Sequence, residues 1–270
     1  MGITVSGEVE TIGGVRISYQ IEGPSDAPWL ILSNSLATDI RLWEPQLETL
    51  SANRRVLRYD TRGHGESGTG SSPYTFDQLT GDIKALCTRL SIDKADFLGL
   101  SLGGMTVLEF ALRYPQMVGR LVCCDARADA PDPYKAIWDG NIAKLNEGGI
   151  AAICEPTLSR WFTSSFLSRS DNQETLDTVR SMIQTTAVTG YEGSARCLQQ
   201  LDLLDRLPSL ACPVLYVVGE HDPAAPLSVM QEMCERTPDA ELSVIADAAH
   251  LSNMEQPKAF TDSITGFLNL

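Results

Sequence analysis

Short apolar runs recur along the chain: Trp29-Leu-Ile-Leu32, Val56-Leu-Arg-Tyr59, Ala95-Asp-Phe-Leu-Gly-Leu100, Leu121-Val-Cys-Cys124, Val214-Leu-Tyr-Val-Val218 and Leu242-Ser-Val-Ile245. Runs of this length, apolar on successive residues, suit strands buried on both faces. Between most of them the period changes to three and four, as at Phe76, Leu79, Ile83, Leu86 and Leu90, which predicts helices. Strands alternating with helices predict an α/β fold with a mostly parallel central sheet flanked by helices. Ahead of the first run, the β-rich stretches Ile3-Thr-Val5 and Val15-Arg-Ile-Ser-Tyr-Gln-Ile21 are divided by Gly13-Gly14, which predicts an antiparallel hairpin. The chain closes on residues 257–270, where Phe260, Ile264 and Phe267 share a helical face.

The alternation lapses once. Residues 132–207 hold no good strand candidate but several helix-like stretches, among them 135–146, 173–186 and 191–204. This predicts a helical cap inserted after the sixth strand, with residues 1–131 and 208–270 as the two parts of one core. No internal repeat or low-complexity tract interrupts it.

Composition narrows the classes. With 270 residues, 43% hydrophobic and 21% charged, the chain reads as an ordinary globular domain. A net charge of −14 argues against nucleic acid and anionic membranes as partners, because phosphate binding needs clustered cations. No stretch approaches the roughly 20 apolar residues of a spanning helix. Met1-Gly-Ile-Thr-Val-Ser-Gly-Glu8 has neither a basic nor an apolar region of the signal-peptide kind, so a cytoplasmic address is expected. The seven cysteines are odd in number and form no C-x-x-C pair. They are expected to be reduced, buried and free of metal. Nothing in the pattern chooses between a monomer and a homo-oligomer.

The chemistry centres on Gly99-Leu-Ser101-Leu-Gly103-Gly104, a G-x-S-x-G sequence that follows an apolar run and precedes a helical one. A serine on such a strand-to-helix turn is forced toward strained backbone angles, and small neighbours let strand and helix approach. Its hydroxyl needs a general base, and the chain has three histidines. His64 lies in the glycine-rich Arg62-Gly-His-Gly-Glu-Ser67, where a role bonding neighbouring backbone is expected. His221 directly precedes Asp222, and neighbours in an extended loop point apart. His250, between the last strand and the last helix, is left as the base. The carboxylate that would orient it is Asp222, in the turn Gly219-Glu-His-Asp-Pro223, with Asp125 at the end of the fourth parallel run as the competitor.

These residues resemble the α/β-hydrolase superfamily over nearly the whole chain, and within it the 3-oxoadipate enol-lactonases. The resemblance is carried by Leu32-Ser-Asn-Ser-Leu-Ala-Thr-Asp39, Leu42-Trp-Glu-Pro-Gln46, Gly99-Leu-Ser-Leu-Gly-Gly-Met105, Arg160-Trp-Phe-Thr163, Gly190-Tyr-Glu-Gly193 and His250-Leu-Ser-Asn-Met-Glu-Gln-Pro257. It implies a serine hydrolase acting on a lactone or ester, with the backbone N–H groups of Leu36 and Leu102 as the oxyanion hole. The match weakens at Cys123-Cys-Asp-Ala-Arg-Ala-Asp-Ala-Pro131 and at Ser194-Ala-Arg-Cys-Leu-Gln-Gln-Leu201, both bordering or within the cap. Arg127, Trp138, Arg160, Trp161 and Tyr191 are candidates for the wall of a substrate pocket. An arginine there could hold a substrate carboxylate and the aromatic faces could clamp a lactone or acyl chain. Packing of the tryptophans and solvation of the arginines are the competing readings. The chemistry calls for no metal or organic cofactor. Another lactonase, esterase or amidase substrate, such as an N-acyl homoserine lactone, is the alternative. A ligand-binding protein that keeps the scaffold without turnover is the reading from another class.

Overall fold

The computed structural model describes residues 4–11 and 13–270. Eight strands, β1 (Val5–Glu10), β2 (Arg16–Glu22), β3 (Trp29–Ser33), β4 (Arg55–Tyr59), β5 (Ala95–Leu100), β6 (Val118–Cys124), β7 (Val214–Gly219) and β8 (Ala240–Ile245), form one sheet in the order β1-β2-β4-β3-β5-β6-β7-β8. β1 and β2 make the expected antiparallel hairpin, with Val5 opposite Ile21, and β2 runs antiparallel to β4. Ile3, the first residue of the expected strand, lies outside the described residues. Every other pairing is parallel. All six residues of β5 and of β7 are buried, which is why they read as apolar runs without alternation.

Helices α1 (Glu44–Asn53), α2 (Phe76–Arg89) and α3 (Leu102–Arg113) connect the first strands. α2 opens on a capping box in which the Thr75 hydroxyl accepts the Gln78 N–H while the Gln78 side chain accepts the Thr75 N–H, and it turns Leu79, Ile83 and Leu86 inward. α3 is buried without a break from Leu102 to Ala111. Between β6 and β7 the chain runs through α4 (Asp132–Gly148), α5 (Ala151–Trp161), α6 (Ser164–Leu167), α7 (Gln173–Thr185) and α8 (Val188–Leu198). After β7 come α9 (Leu227–Arg236), α10 (Ser252–Glu255) and α11 (Pro257–Leu268). In α11 Phe260 and Ile264 are buried as expected, while Leu268 rather than Phe267 completes the face.

Two elements differ from the pattern. α8 stops at Leu198 because the chain turns back to the core, where the Leu203 N–H donates to the Ala128 carbonyl at 2.7 Å. α5 carries Pro156 inside it, which in sequence reads as a break. It forms because Ile153, Cys154, Thr157, Leu158 and Trp161 fall on one face and are all buried. These helices are sewn to the sheet side. The Ala187 N–H donates to the Gly63 carbonyl, the Tyr74 N–H to Gly193 and the Leu251 N–H to Trp161. At the first seam, a Cβ on Gly190 would stand 2.2 Å from the Gly63 carbonyl oxygen, so the two backbones meet only because both residues lack one. Six cysteines are buried and Cys234 is partly so, all of them free thiols. Burial pushes Cys87 and Cys197 up to about 12 and Cys212 up to about 11.

Candidate active site

Ser101 occupies the turn between β5 and α3 with φ 55° and ψ −117°. A non-glycine residue in this region costs about 1–3 kcal/mol, which the surrounding structure must hold. It is held by close approach on both sides. A Cβ on Gly99 would lie 2.4 Å from the Gly103 oxygen, and one on Gly103 would lie 2.1 Å from the Ser33 oxygen. The Ser101 N–H donates to the Cys124 carbonyl at 2.8 Å, and its side chain stands at the N-terminus of α3.

The His250 imidazole reaches that hydroxyl, with Nε2 3.0 Å from Ser101 Oγ, while Nδ1 lies 2.9 Å from Asp222 Oδ2. Nδ1–H donating to the carboxylate leaves the Nε2 lone pair facing the serine. Asp222 Oδ1 accepts the Ala224 N–H at 2.7 Å, so both carboxylate oxygens are engaged. His221 is exposed, with Nε2 3.8 Å from Glu220 Oε2. Asp125, fully buried, does not face the imidazole. It accepts the Gly219 N–H at 2.8 Å and the Ser252 hydroxyl at 2.5 Å. Burial first, and the neighbouring Asp222 second, raise its carboxyl well above the ordinary range. His64 is buried with Nδ1 3.0 Å from the Arg62 carbonyl, the backbone role expected of it.

On the other side of Ser101, the loop after β3 is pinned by Asn34. Its amide donates to the Tyr59 carbonyl at 2.8 Å and its carbonyl accepts the Trp43 indole N–H at 2.9 Å. This sets Leu36 at the cavity wall. Among the described residues, neither the Leu36 nor the Leu102 N–H is taken up by a backbone carbonyl.

Ser101, Leu36 and His250 open into a cavity of about 250 Å³. All five wall candidates, Arg127, Trp138, Arg160, Trp161 and Tyr191, line it. They are not equivalent. The Arg127 guanidinium is occupied, donating to Asp129 Oδ1 at 2.9 Å and to its carbonyl at 2.8 Å, and it lies over the Tyr134 ring. Arg160 donates to the Thr157 hydroxyl at 3.5 Å and lies against the Tyr191 hydroxyl, and among the described residues it pairs with no carboxylate. Among the described residues the buried Trp138 indole N–H finds no partner. Tyr134, Thr157 and Met105 line the cavity without having been singled out by sequence. Tyr134 stands four residues before Trp138 on α4, their rings 5.8 Å apart, and that spacing was the available signal. Exposed Pro133 and Ile137 join Pro223, Pro226 and Val229 at the wall, giving one side an apolar rim.

Three of the four residues of α10 fasten the base to its surroundings. Ser252 reaches Asp125, the Asn253 amide donates to the Leu42 carbonyl at 2.8 Å, and Glu255 accepts the Ala249 N–H at 2.8 Å.

Residues 28–257 match the family model of the α/β-hydrolase fold, and the chain belongs to that family. It is 32% identical over 254 residues to 3-oxoadipate enol-lactonase 2 of Acinetobacter baylyi, covering 94% of this chain and 93% of that protein. Among solved structures, the enol-lactonase of Burkholderia xenovorans LB400 superposes with a TM-score of 0.93 at 35% identity, covering 98% of this chain and 100% of that one. A thermophilic esterase from Thermogutta terrifontis superposes with a TM-score of 0.90 at 28% identity, covering 98% of each chain. Among the described residues no helix is long and apolar enough to cross a membrane.

Proposed function

We propose that the chain is a serine hydrolase that opens a lactone or ester through an acyl-enzyme, with an enol-lactone bearing a carboxylate as the leading substrate. The observation that carries this reading is the unbroken relay from Asp222 through His250 to Ser101, 2.9 and 3.0 Å long, beside two backbone N–H groups without acceptors. Ser101 Oγ attacks the carbonyl carbon as its proton passes to His250 Nε2. The Leu36 and Leu102 N–H groups hold the oxyanion, and losing one such donor typically costs about 10² to 10³ in rate. Collapse breaks the bond to the leaving oxygen, which takes the proton from His250. Water, activated by the same imidazole, then attacks the acyl carbon and returns Ser101.

Residues 132–207 act as the cap over the acyl group. Arg160, the arginine at the wall without a carboxylate partner, is the anchor for the substrate carboxylate, and Arg127 is a structural element of the wall. The likeness to enol-lactonases supports the substrate class, and the likeness to an esterase supports the wider ester chemistry.

A fluorophosphonate probe is expected to label wild-type Ser101 and not Ser101→Ala. Turnover is expected on an enol-lactone, with homoserine lactones and p-nitrophenyl esters run beside it. Arg160→Gln is expected to raise KM about tenfold or more for the carboxylate-bearing lactone and leave a neutral ester nearly unchanged. No labelling and no turnover on any of the three substrates would turn the reading to a ligand-binding protein on this scaffold.

A further inference from the structure

We infer that Glu255 is a positioning residue that locks the His250 loop and the Arg160–Thr163 segment, whose Arg160 and Trp161 line the cavity, into one unit. The inference rests on the hydrolase reading above. Glu255 is 4% exposed and ends α10. Its Oε2 accepts the N–H of Ala249, the residue immediately before His250, at 2.8 Å. Its Oε1 accepts the Thr163 N–H at 3.0 Å and also the Thr163 hydroxyl. One carboxylate thus gathers three donors from two segments far apart in sequence. Among the described residues it pairs with no cation, so hydrogen bonds alone offset the burial of its charge.

The two segments it joins carry the residues that matter. One holds His250. The other holds Arg160 and Trp161, and the Trp161 ring lies 6.2 Å from the imidazole. A second tie, the Leu251 N–H to the Trp161 carbonyl at 3.1 Å, runs alongside, so His250 is bracketed on both sides by bonds to the cap or to the group that holds it. A glutamine at 255 has one acceptor oxygen, and its amide N–H would confront a donor. Either the Ala249 N–H or the Thr163 pair must then lose its partner. Thr163→Val removes the hydroxyl donor, together with the acceptor that caps α6 through the Phe166 N–H, and leaves the bond to Ala249.

Wild-type turnover of the ester and the carboxylate-bearing lactone is measured first, so inactivity there sinks the hydrolase reading and not this one. Folded Glu255→Gln is then expected to lose about 10- to 100-fold in kcat, the range for one charge-assisted hydrogen bond, and to show a raised KM for the lactone. Thr163→Val is expected to raise that KM about threefold or more with kcat within about twofold of wild type. Hydrogen exchange in Glu255→Gln is expected to quicken together over residues 246–251 and 160–166. Wild-type kcat and KM in a folded Glu255→Gln overturn the inference. If that variant does not fold, Thr163→Val decides alone: an unchanged KM, a loss confined to kcat, or faster exchange confined to residues 160–166 overturns it, and a raised KM with exchange quickened at residues 246–251 as well supports it.

Discussion

Asp125 and Asp222 both sit buried at the carboxyl end of the sheet, yet Asp222 faces the imidazole and Asp125 turns to Gly219 and Ser252. Asp222→Asn is therefore expected to lower kcat by about 10⁴, because an amide donor opposite Nδ1 favours the wrong tautomer. Asp125→Asn keeps the relay and leaves one buried donor facing an amide, so its expected effect is a lower melting temperature with kcat within about tenfold of wild type. Steady-state kinetics and thermal melts on the two variants separate these outcomes, and the reverse pattern would move the acid to Asp125. The choice between them was legible because a Gly-x-x-Asp-Pro turn throws its carboxylate clear of the strand. The difference between Arg127 and Arg160 was not, since the Asp129 partner that occupies Arg127 is one of several acids nearby in sequence and its geometry depends on the turn after β6.

Strands β3 to β7 were legible along the chain because burial on both faces leaves a run of apolar residues that no helix of that length requires. Where burial is one-sided the signal fades. β1 lies at the sheet edge with mostly exposed residues, and of it only Val5 was anticipated. α5 was hidden by Pro156, whose local penalty is overridden by the buried face around it. α10 shows a different limit. Its sequence, Ser252-Asn-Met-Glu255, carried the resemblance, but its reason is non-local: Ser252, Asn253 and Glu255 bond to residues 127, 211 and 92 positions away. No periodicity records such contacts. A four-residue helix with every residue buried is shaped by its partners, not by its own propensity.

The molecule as a whole carries one buried imidazole outside the relay. His64 is 1% exposed, its Nδ1–H donates to the Arg62 carbonyl, and its buried Nε2 has no partner among the described residues. Burial lowers its pKa below the ordinary value. The unfolded chain therefore takes up this proton first. The stability it contributes is fully present above about pH 6.5 and is lost as pH falls toward its native pKa. The margin in melting temperature of wild type over His64→Gln is expected to narrow between pH 7.5 and 5.5, and a constant margin would refute the assignment. The seven thiols have a practical corollary. Their depressed acidity and their placement in the core leave the native chain with Cys234 as its one partly accessible sulfur, whereas denaturant releases all seven. A chromogenic disulfide reagent added at neutral pH is then expected to register one slow equivalent from folded protein and seven from unfolded. The chain thereby supplies an internal gauge of its own intactness, by which an inactive variant of any residue above can be sorted into damaged chemistry or lost fold.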